Sequence, residues 1–92
     1  MIRTFRHRGL KEIFETGKSR LIRPDTRDRV ATRLDVLDAA RTIAGVNAPG
    51  FDLHEFKGDR AGEWAIKVNK NQRITFKFKN GDAFDVHLED YH

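Results

Sequence analysis

Four adjacent residues near the end of the sequence carry side chains that could do chemistry. Glu89 and Asp90 are carboxylates, Tyr91 is a phenol, and His92 is an imidazole that titrates near neutral pH. Carboxylates and imidazoles can accept or donate protons, and a tyrosine ring can stack on an exposed nucleobase. The plainer interpretation is that Glu89 and Asp90 only keep the end of a strand soluble.

Cleavage of RNA without a metal ion is the chemistry that suits these groups best. The 2′-hydroxyl of RNA is held beside its own phosphate, so the substrate supplies the nucleophile. The enzyme must supply a base for that hydroxyl, an acid for the leaving oxygen, and cations for the charged phosphorane. We predict His54, Asp90, Tyr91 and His92 as the catalytic residues. The imidazoles could transfer protons, Asp90 could orient an imidazole or act as the base, and Tyr91 could stack a base or orient the acid.

The phosphate needs cations, and we predict Lys57 and Arg73 for that role. The charge distribution supports a polyanionic partner. Residues 1–50 hold eleven Lys and Arg against six Asp and Glu, whereas residues 51–92 hold seven against eight. A basic half attached to a nearly neutral half favours contact with nucleic acid, and an acidic protein partner is the main competing interpretation.

Other chemistries fit the sequence less well. His54, Asp90 and His92 offer nitrogen and oxygen ligands, but there is no HExxH motif or carboxylate-rich set, so we predict no metal and no other cofactor. The sequence has no cysteine, and its one serine, Ser19, lies in a basic connector, which argues against a nucleophilic side chain. Nor does it have a glycine loop suited to cradling phosphate: Gly58 to Gly62 is a short turn between strands.

Length and composition predict one globular domain over residues 1–92. Hydrophobic residues make up 38% of the chain, including seven phenylalanines, and charged residues make up 35%. That is enough apolar side chain for a folded core. The sequence shows no apolar run of membrane-spanning length and no signal-peptide pattern, so we expect a cytoplasmic protein with no membrane partner.

The apolar pattern predicts an α+β fold. A short N-terminal strand precedes a helix from Gly9 to Gly17 and a second helix from about Thr26 to Ala44, with Asp25 as its N-cap. Four antiparallel strands follow, beginning with Phe51 to Phe56, and the helices pack on one face of the twisted sheet. His7 and His87 are interpreted as surface residues.

The register of the last hairpin decides which residues approach the terminal cluster. A two-residue Asn80-Gly81 loop would set Phe76 opposite Asp85, mixing core and solvent on one face. A three-residue loop that begins at Lys79 avoids this, and it would place Arg73 opposite His87. Either way the Arg73 end of one strand lies near residues 89–92.

Strict alternation creates a conflict at this end of the sheet. Continued from Leu88, it sends Asp90 and His92 to the core side and Tyr91 to the outer side, together with Arg73. Either the strand bends after Leu88 or the site straddles the end of the sheet.

The sequence as a whole resembles the HigB branch of the RelE-like toxins, which cleave messenger RNA in bacterial toxin–antitoxin pairs. The resemblance is carried by four segments and by the terminal Glu-Asp-Tyr-His. These segments are Phe5-x-His7-x-x-Leu10, Leu53-His54-x-x-Lys57-Gly58-Asp59-Arg60-x-Gly62-x-Trp64, Gln72-Arg73-Ile74-x-Phe76 and Asn80-Gly81-Asp82-Ala83.

That resemblance implies a RelE-like fold and a ribosome-dependent endoribonuclease that cuts messenger RNA in the A site. It also implies a HigA-like helix-turn-helix antitoxin, whose complex with the toxin contacts operator DNA. The family's functional positions fall on the residues already selected: His54, Lys57, Arg73, Asp90, Tyr91 and His92. Two other classes remain open: a noncatalytic RNA- or ribosome-binding module, and a small protein that docks an acidic partner.

Overall fold

A computed structural model describes residues 1–90 of the chain. Two α-helices, α1 (Arg8–Thr16) and α2 (Arg27–Ala39), precede four strands, β1 (His54–Glu55), β2 (Glu63–Lys67), β3 (Gln72–Lys79) and β4 (Asp82–Asp90). The strands form one antiparallel sheet in the order β1-β2-β3-β4. The predicted α+β architecture is therefore confirmed. Within residues 1–90, no helix is long and apolar enough to cross a membrane.

The core lies between the helices and one face of the sheet. Helix α2 buries Val30, Leu34 and Leu37, as its apolar spacing predicts, and Ile74 and Phe76 of β3 are at most 1% exposed. Full burial of side chains of this size stabilises the fold by about 1.5–3 kcal/mol each. Helix α1 ends at Gly17, whose φ of 80° is left-handed, as predicted for its stop signal.

Helix α2 is shorter than predicted. Its backbone leaves the helix at Ala40, and residues Ile43–Val46 form a separate 3₁₀-helix. Between the two helices the chain passes over the β3–β4 turn, where a Cβ on Gly81 would lie 3.1 Å from the carbonyl oxygen of Arg41. The predicted Asp25 cap is also wrong: Thr26 holds the N-cap position and makes no side-chain capping bond, while Asp25 pairs with Arg23 at 3.2 Å.

Two arginines on the polar side of α2 have internal partners. The Arg29 guanidinium donates to the carbonyl oxygen of Val68 at 3.1 Å, and Arg33 Nε donates to that of Lys67 at 2.6 Å. Arg33 also stacks on the ring of Phe51, 4.5 Å from its centroid. Part of the basic N-terminal half therefore ties the helix to the end of β2 rather than facing a partner.

The hairpin register differs from the predicted one. Phe78 pairs with Ala83 and Lys79 with Asp82, so the loop is the two-residue Asn80-Gly81, with φ of 53° and 81°. These two left-handed residues are typical of a type I′ turn. With this loop, simple alternation would mix core and solvent side chains on one face of the hairpin. The mixing is avoided farther along the strands, because β4 has one extra residue opposite Phe76.

The extra residue forms a β-bulge at Asp85, whose φ is 54°. The bulge brings Ala83 and Val86, three positions apart, onto the same buried face. It also explains why the predicted N-terminal strand is not confirmed. Ile2 and Phe5 form only isolated parallel bridges to β4, and between them the Asp85 amide donates to the Thr4 hydroxyl at 2.7 Å.

His7 is not the surface residue that we predicted, because it caps α1. Its Nδ1 accepts a hydrogen bond from the Leu10 amide at 3.2 Å, which requires an unprotonated nitrogen. Burial, and then the charge of His87 (ring centroids 5.5 Å apart), lowers the pKa of His7 from its ordinary value near 6.5. A histidine whose folded pKa is depressed stabilises the fold above the unfolded pKa, and this stabilisation is lost as the pH falls through the folded pKa.

The free energy of unfolding should therefore fall as the pH is lowered from about 7 towards 5. His7→Asn provides the matched control, since asparagine is a good N-cap that does not titrate. We expect the wild type to lose more stability over this range than His7→Asn in urea unfolding. Identical pH dependence of the two proteins would contradict the capping role.

Candidate active site

The face of the sheet opposite the helices carries two of the predicted functional residues, His54 and Arg73. Across it, Arg73 pairs with Glu89, Thr75 with His87, and His54 with Ala65. The predicted Arg73–His87 pair is therefore wrong by two residues: the two-residue loop moves the register by one residue, and the bulge at Asp85 moves it by one more. Thr75 is only 1% exposed although no helix covers this face, so the longer side chains around it form a layer of their own.

The Glu89 carboxylate lies between two arginines. Its Oε1 accepts from Arg73 Nε at 3.0 Å and from Arg60 at 3.0 Å, and its Oε2 accepts from Arg60 at 2.8 Å. Arg60 also binds the Glu63 carboxylate through Nε and Nη2, at 3.2 and 3.1 Å. Glu63, Arg60, Glu89 and Arg73 thus form a chain of ion pairs, which we call the arginine–glutamate cluster.

Hydrogen bonds within this cluster stabilise the charged forms of Glu63, Arg60 and Glu89. Hydrogen bonds from Arg60, and then from Arg73, lower the pKa of Glu89 to about 2 against the opposing effect of burial. The same bonds raise the pKa of Arg60, with Glu89 the larger contributor and Glu63 the smaller. The Glu63 pKa is lowered mainly by Arg60. Glu63, Arg60 and Glu89 therefore stay ionised throughout the neutral range.

An aromatic ring supports both guanidinium groups. The Arg60 and Arg73 guanidinium carbons lie 4.2 and 4.6 Å from the centroid of the Phe56 ring, within the range of cation–π attraction. His54 contacts the same ring edge-on at a centroid distance of 5.3 Å. Phe56 thus connects a predicted proton-transfer residue with the predicted phosphate-binding arginine.

His54 is exposed at the start of β1. Its Nδ1 lies 3.2 Å from the carbonyl oxygen of Asp52, which can only accept a hydrogen bond, so the Nδ1 carries the proton. In the neutral ring this leaves Nε2 as the acceptor. Asp52 has a left-handed φ of 48°, and strand pairing is limited to His54 and Glu55, so the longer predicted strand over Phe51–Phe56 is wrong.

Asp90 lies on the other side of the sheet end. It pairs with Gln72 in the register and lines a polar cavity of about 540 Å³ together with Arg23, Arg29 and Lys70. Alternation after the bulge places Glu89 on the open face and Asp90 on the helix side. The predicted conflict is therefore real: the predicted residues Arg73 and Asp90 lie on opposite faces at the sheet end.

Cavity volume alone does not mark the functional face. A larger cavity of about 880 Å³ lies beside α1 and the connector that follows it, lined by Arg8, Glu12 and Leu21 among others. None of the predicted catalytic or phosphate-binding residues that the structure describes lines it. His54 and Arg73 lie instead on the open face of the sheet, and Asp90 lies at the end of the sheet.

Comparison with known proteins identifies the family. Residues 3–92 match the model of HigB-like toxins, described as RelE-like toxins of type II toxin–antitoxin systems. The chain belongs to this family. It is 46% identical over 92 residues to a Proteus vulgaris protein named Endoribonuclease HigB, covering all of both chains. It is 29% identical over 87 residues, 92% of each chain, to Toxin HigB-1 of Vibrio cholerae serotype O1.

The predicted resemblance to the HigB branch is therefore confirmed. Membership of a type II toxin–antitoxin family implies an antitoxin partner for this HigB-like toxin.

Lys57 is exposed and holds the N-cap position of a short 3₁₀-helix, Gly58–Arg60, which places it three residues before Arg60. Tyr91 and His92 lie outside the described residues.

The roles of Arg60 and Phe56 and the pairing of Glu89 were not predicted from the sequence of this HigB-like toxin. Gly58 to Gly62 was interpreted only as a turn, which it is, but the turn also carries Arg60 to the cluster. The sequence did carry a signal for Phe56. It follows His54 by two positions, so alternation places both side chains on the same side of a strand. His87 is half-buried rather than solvated as predicted. Its pKa is lowered mainly by burial and, to a smaller extent, by the charge of Arg6.

The described residues contain no group of three or more His, Asp or Glu side chains that could hold a metal ion. Of the three ligands considered from sequence, His54 and Asp90 are within the described part of the chain. Asp90 lines the helix-side cavity, and His54 contacts Phe56.

Proposed function

We propose that this HigB-like toxin is an endoribonuclease that cleaves messenger RNA at the ribosomal A site and so inhibits translation. The observation that carries the proposal is the juxtaposition of His54, Phe56 and Arg73 on the open face of the sheet. The relative named Endoribonuclease HigB, 46% identical over the full chain, supports the same reaction.

The reaction follows from the chemistry of the substrate. A base removes the proton of the 2′-hydroxyl, whose oxygen attacks the adjacent phosphorus while the bond to the 5′-oxygen breaks. An acid protonates that leaving oxygen, giving a 2′,3′-cyclic phosphate and a 5′-hydroxyl. No metal is needed in this scheme, because the arginine and lysine cations offset the charge of the phosphorane.

Roles for the predicted residues follow from their chemistry. We propose that Arg73 and Lys57 bind the scissile phosphate, and that His54, Asp90 and His92 share the proton transfers. His54 has an acceptor Nε2 in its neutral form, which suits a general base. Tyr91 would stack a splayed base or orient the acid.

Partners and location follow from the family. We propose that a HigA-like helix-turn-helix antitoxin neutralises the toxin and that operator DNA is bound only through their complex. Ribosomal RNA and messenger are polyanions, which suits the net charge of +4. A target on the ribosome places the protein in the cytoplasm.

Expression in a bacterial host tests this function. We expect the wild type alone to stop growth within a few generations, co-expression of the antitoxin to restore growth, and a variant that stops after Asp90 to be harmless. The variant loses the phenol and imidazole that are proposed to act on the RNA.

Growth arrest without new transcript ends would instead favour a noncatalytic RNA- or ribosome-binding module. A truncated variant that remained equally toxic, with cleavage at the same positions, would rule out the terminal residues as part of the site.

A further inference from the structure

We propose that Glu89 and Arg60 are positioning residues, which hold the Arg73 guanidinium in the orientation that binds the scissile phosphate. This inference rests on the proposed function, because it takes Arg73 to be a phosphate-binding residue. The observations that support it are the four-residue arginine–glutamate cluster and the ring of Phe56.

Arg73 needs such a device because its side chain is long. An arginine side chain carries about 2 kcal/mol of rotamer entropy, which must be lost when the guanidinium is fixed on a phosphate. Contacts within residues 1–90 already restrain it, among them the Glu89 carboxylate, at 3.0 Å from Nε, and the Phe56 ring, at 4.6 Å from the guanidinium carbon. Arg73 is only 19% exposed, consistent with a restrained side chain.

Glu89 is in turn fixed by Arg60. Both carboxylate oxygens of Glu89 accept from Arg60, at 3.0 and 2.8 Å, in a bidentate arrangement. Arg60 is itself anchored by Glu63 and by stacking on Phe56 at 4.2 Å. The restraint therefore passes from β2 through the turn residue Arg60 to β4, and from β4 to Arg73 on β3.

Charge explains why a second arginine is required. A carboxylate paired with Arg73 alone would neutralise it and repel an approaching phosphate. Arg60 places a second positive charge against Glu89, so Arg60, Glu89 and Arg73 together carry a net charge of +1. Glu63, on the far side of Arg60, brings the four-residue cluster to neutrality. Glu89 can thus orient Arg73 without leaving an anionic site.

Other ion pairs of the described residues lack this arrangement. Lys77 and Asp85 lie 3.6 Å apart on the same two strands, and Arg3 and Asp82 lie 3.2 Å apart near the hairpin turn. The cations of both pairs, Lys77 and Arg3, are more exposed than Arg60 and Arg73, and neither has aromatic support in the described structure. They provide matched controls for the loss of a surface charge.

A double-mutant cycle between Glu89→Gln and Arg73→Ala tests the inference by single-turnover cleavage of ribosome-bound messenger. We expect Arg73→Ala to lower the cleavage rate by about 10²–10³-fold. Glu89→Gln should lower it by about 10–10²-fold through misplacement of Arg73, and by less than about 2-fold when Arg73→Ala is already present. Arg60→Ala should resemble Glu89→Gln, and the control Asp82→Asn should cleave like the wild type.

Binding of a 2′-O-methylated RNA that cannot be cleaved supplies a second readout in the same cycle. We expect Glu89→Gln to weaken binding only when Arg73 is present. Additive effects of the two substitutions on both readouts would overturn the inference, as would tighter binding with unchanged cleavage in Glu89→Gln. Coupled binding without any cleavage by the wild type would refute the proposed function and leave the positioning role standing.

Thermal unfolding of each variant distinguishes positioning from folding. Should Arg60→Ala be unfolded, Arg60→Lys replaces it, because lysine keeps the charge but cannot bind Glu89 through a planar fork. We then expect Arg60→Lys to fold and to cleave about 10-fold more slowly than the wild type. A folded Arg60→Lys protein with the wild-type rate would overturn the role of Arg60.

Discussion

Replacing His54 with alanine is expected to lower the rate of messenger cleavage by about 10²–10⁴-fold, the usual contribution of one proton-transfer group. The imidazole is exposed, its Nδ1 is held by the carbonyl of Asp52, and its ring contacts Phe56 beside Arg73. Because it makes no buried packing contact, the substitution should leave the fold intact. Single-turnover cleavage of ribosome-bound messenger measures the effect.

Glu55→Ala is the matched control for His54→Ala. Glu55 is the other residue of β1, is equally exposed, and lies on the opposite face of the sheet, where it pairs with Trp64. We expect Glu55→Ala to cleave at close to the wild-type rate. A His54→Ala protein that cleaved as fast as Glu55→Ala would remove His54 from the proton-transfer residues.

The largest expected loss of stability comes from Phe76→Ala, at about 3–5 kcal/mol. Phe76 is 1% exposed, packs edge-on against Phe78 at a centroid distance of 6.4 Å, and lies opposite the bulge of β4. Removing it leaves a cavity where β3 and β4 change register. Since small domains are stable by only about 5–15 kcal/mol, urea unfolding should show a large shift of the midpoint.

Phe84→Ala is the comparison for that measurement. Phe84 is only half-buried and lies on the open face of the same hairpin, opposite Lys77. We expect a clearly smaller loss of stability than for Phe76→Ala. Equal losses would mean that the open face contributes to the core as much as the helix face does.

Helix periodicity predicted the core well because it depends on local spacing. Val30, Leu34 and Leu37 form the buried stripe of α2, and Gly17 ends α1, as the sequence indicates. The end of α2 was wrong because it depends on a distant contact. The chain leaves the helix at Ala40 to pass over the β3–β4 turn, and no local pattern marks that crossing.

The β3–β4 hairpin needs a register shift to keep core and solvent side chains on separate faces. The sequence correctly indicated that a shift is needed but not where it occurs. Alternation requires a shift by one residue, and the predicted three-residue loop supplies that shift against the strong type I′ signal of Asn80-Gly81. The structure keeps the two-residue loop and places the extra residue at Asp85, where aspartate tolerates a left-handed φ. The shorter loop and the bulge each move the register by one residue, so Arg73 lies opposite Glu89 rather than His87.

The candidate site was predicted in its residue types more than in its geometry. His54 and Arg73 do share a neighbourhood, through Phe56, whereas Asp90 lies on the helix side of the sheet end. Glu89 could not be assigned to two arginines from sequence, since one of them comes from a turn about thirty residues earlier. Long side chains that meet across strands leave little trace in local patterns.

The chemical nature of the transcript ends tests the central claim most directly. Ribosome-bound messenger should be cleaved by the wild-type toxin, and the fragments analysed for their terminal groups. We predict a 2′,3′-cyclic phosphate on the upstream fragment and a 5′-hydroxyl on the downstream one, with both ends lost in a His54→Ala, Arg73→Ala double variant. Fragments carrying 3′-hydroxyl and 5′-phosphate ends, or unchanged cleavage by the double variant, would contradict RNA cleavage through the 2′-hydroxyl at this site.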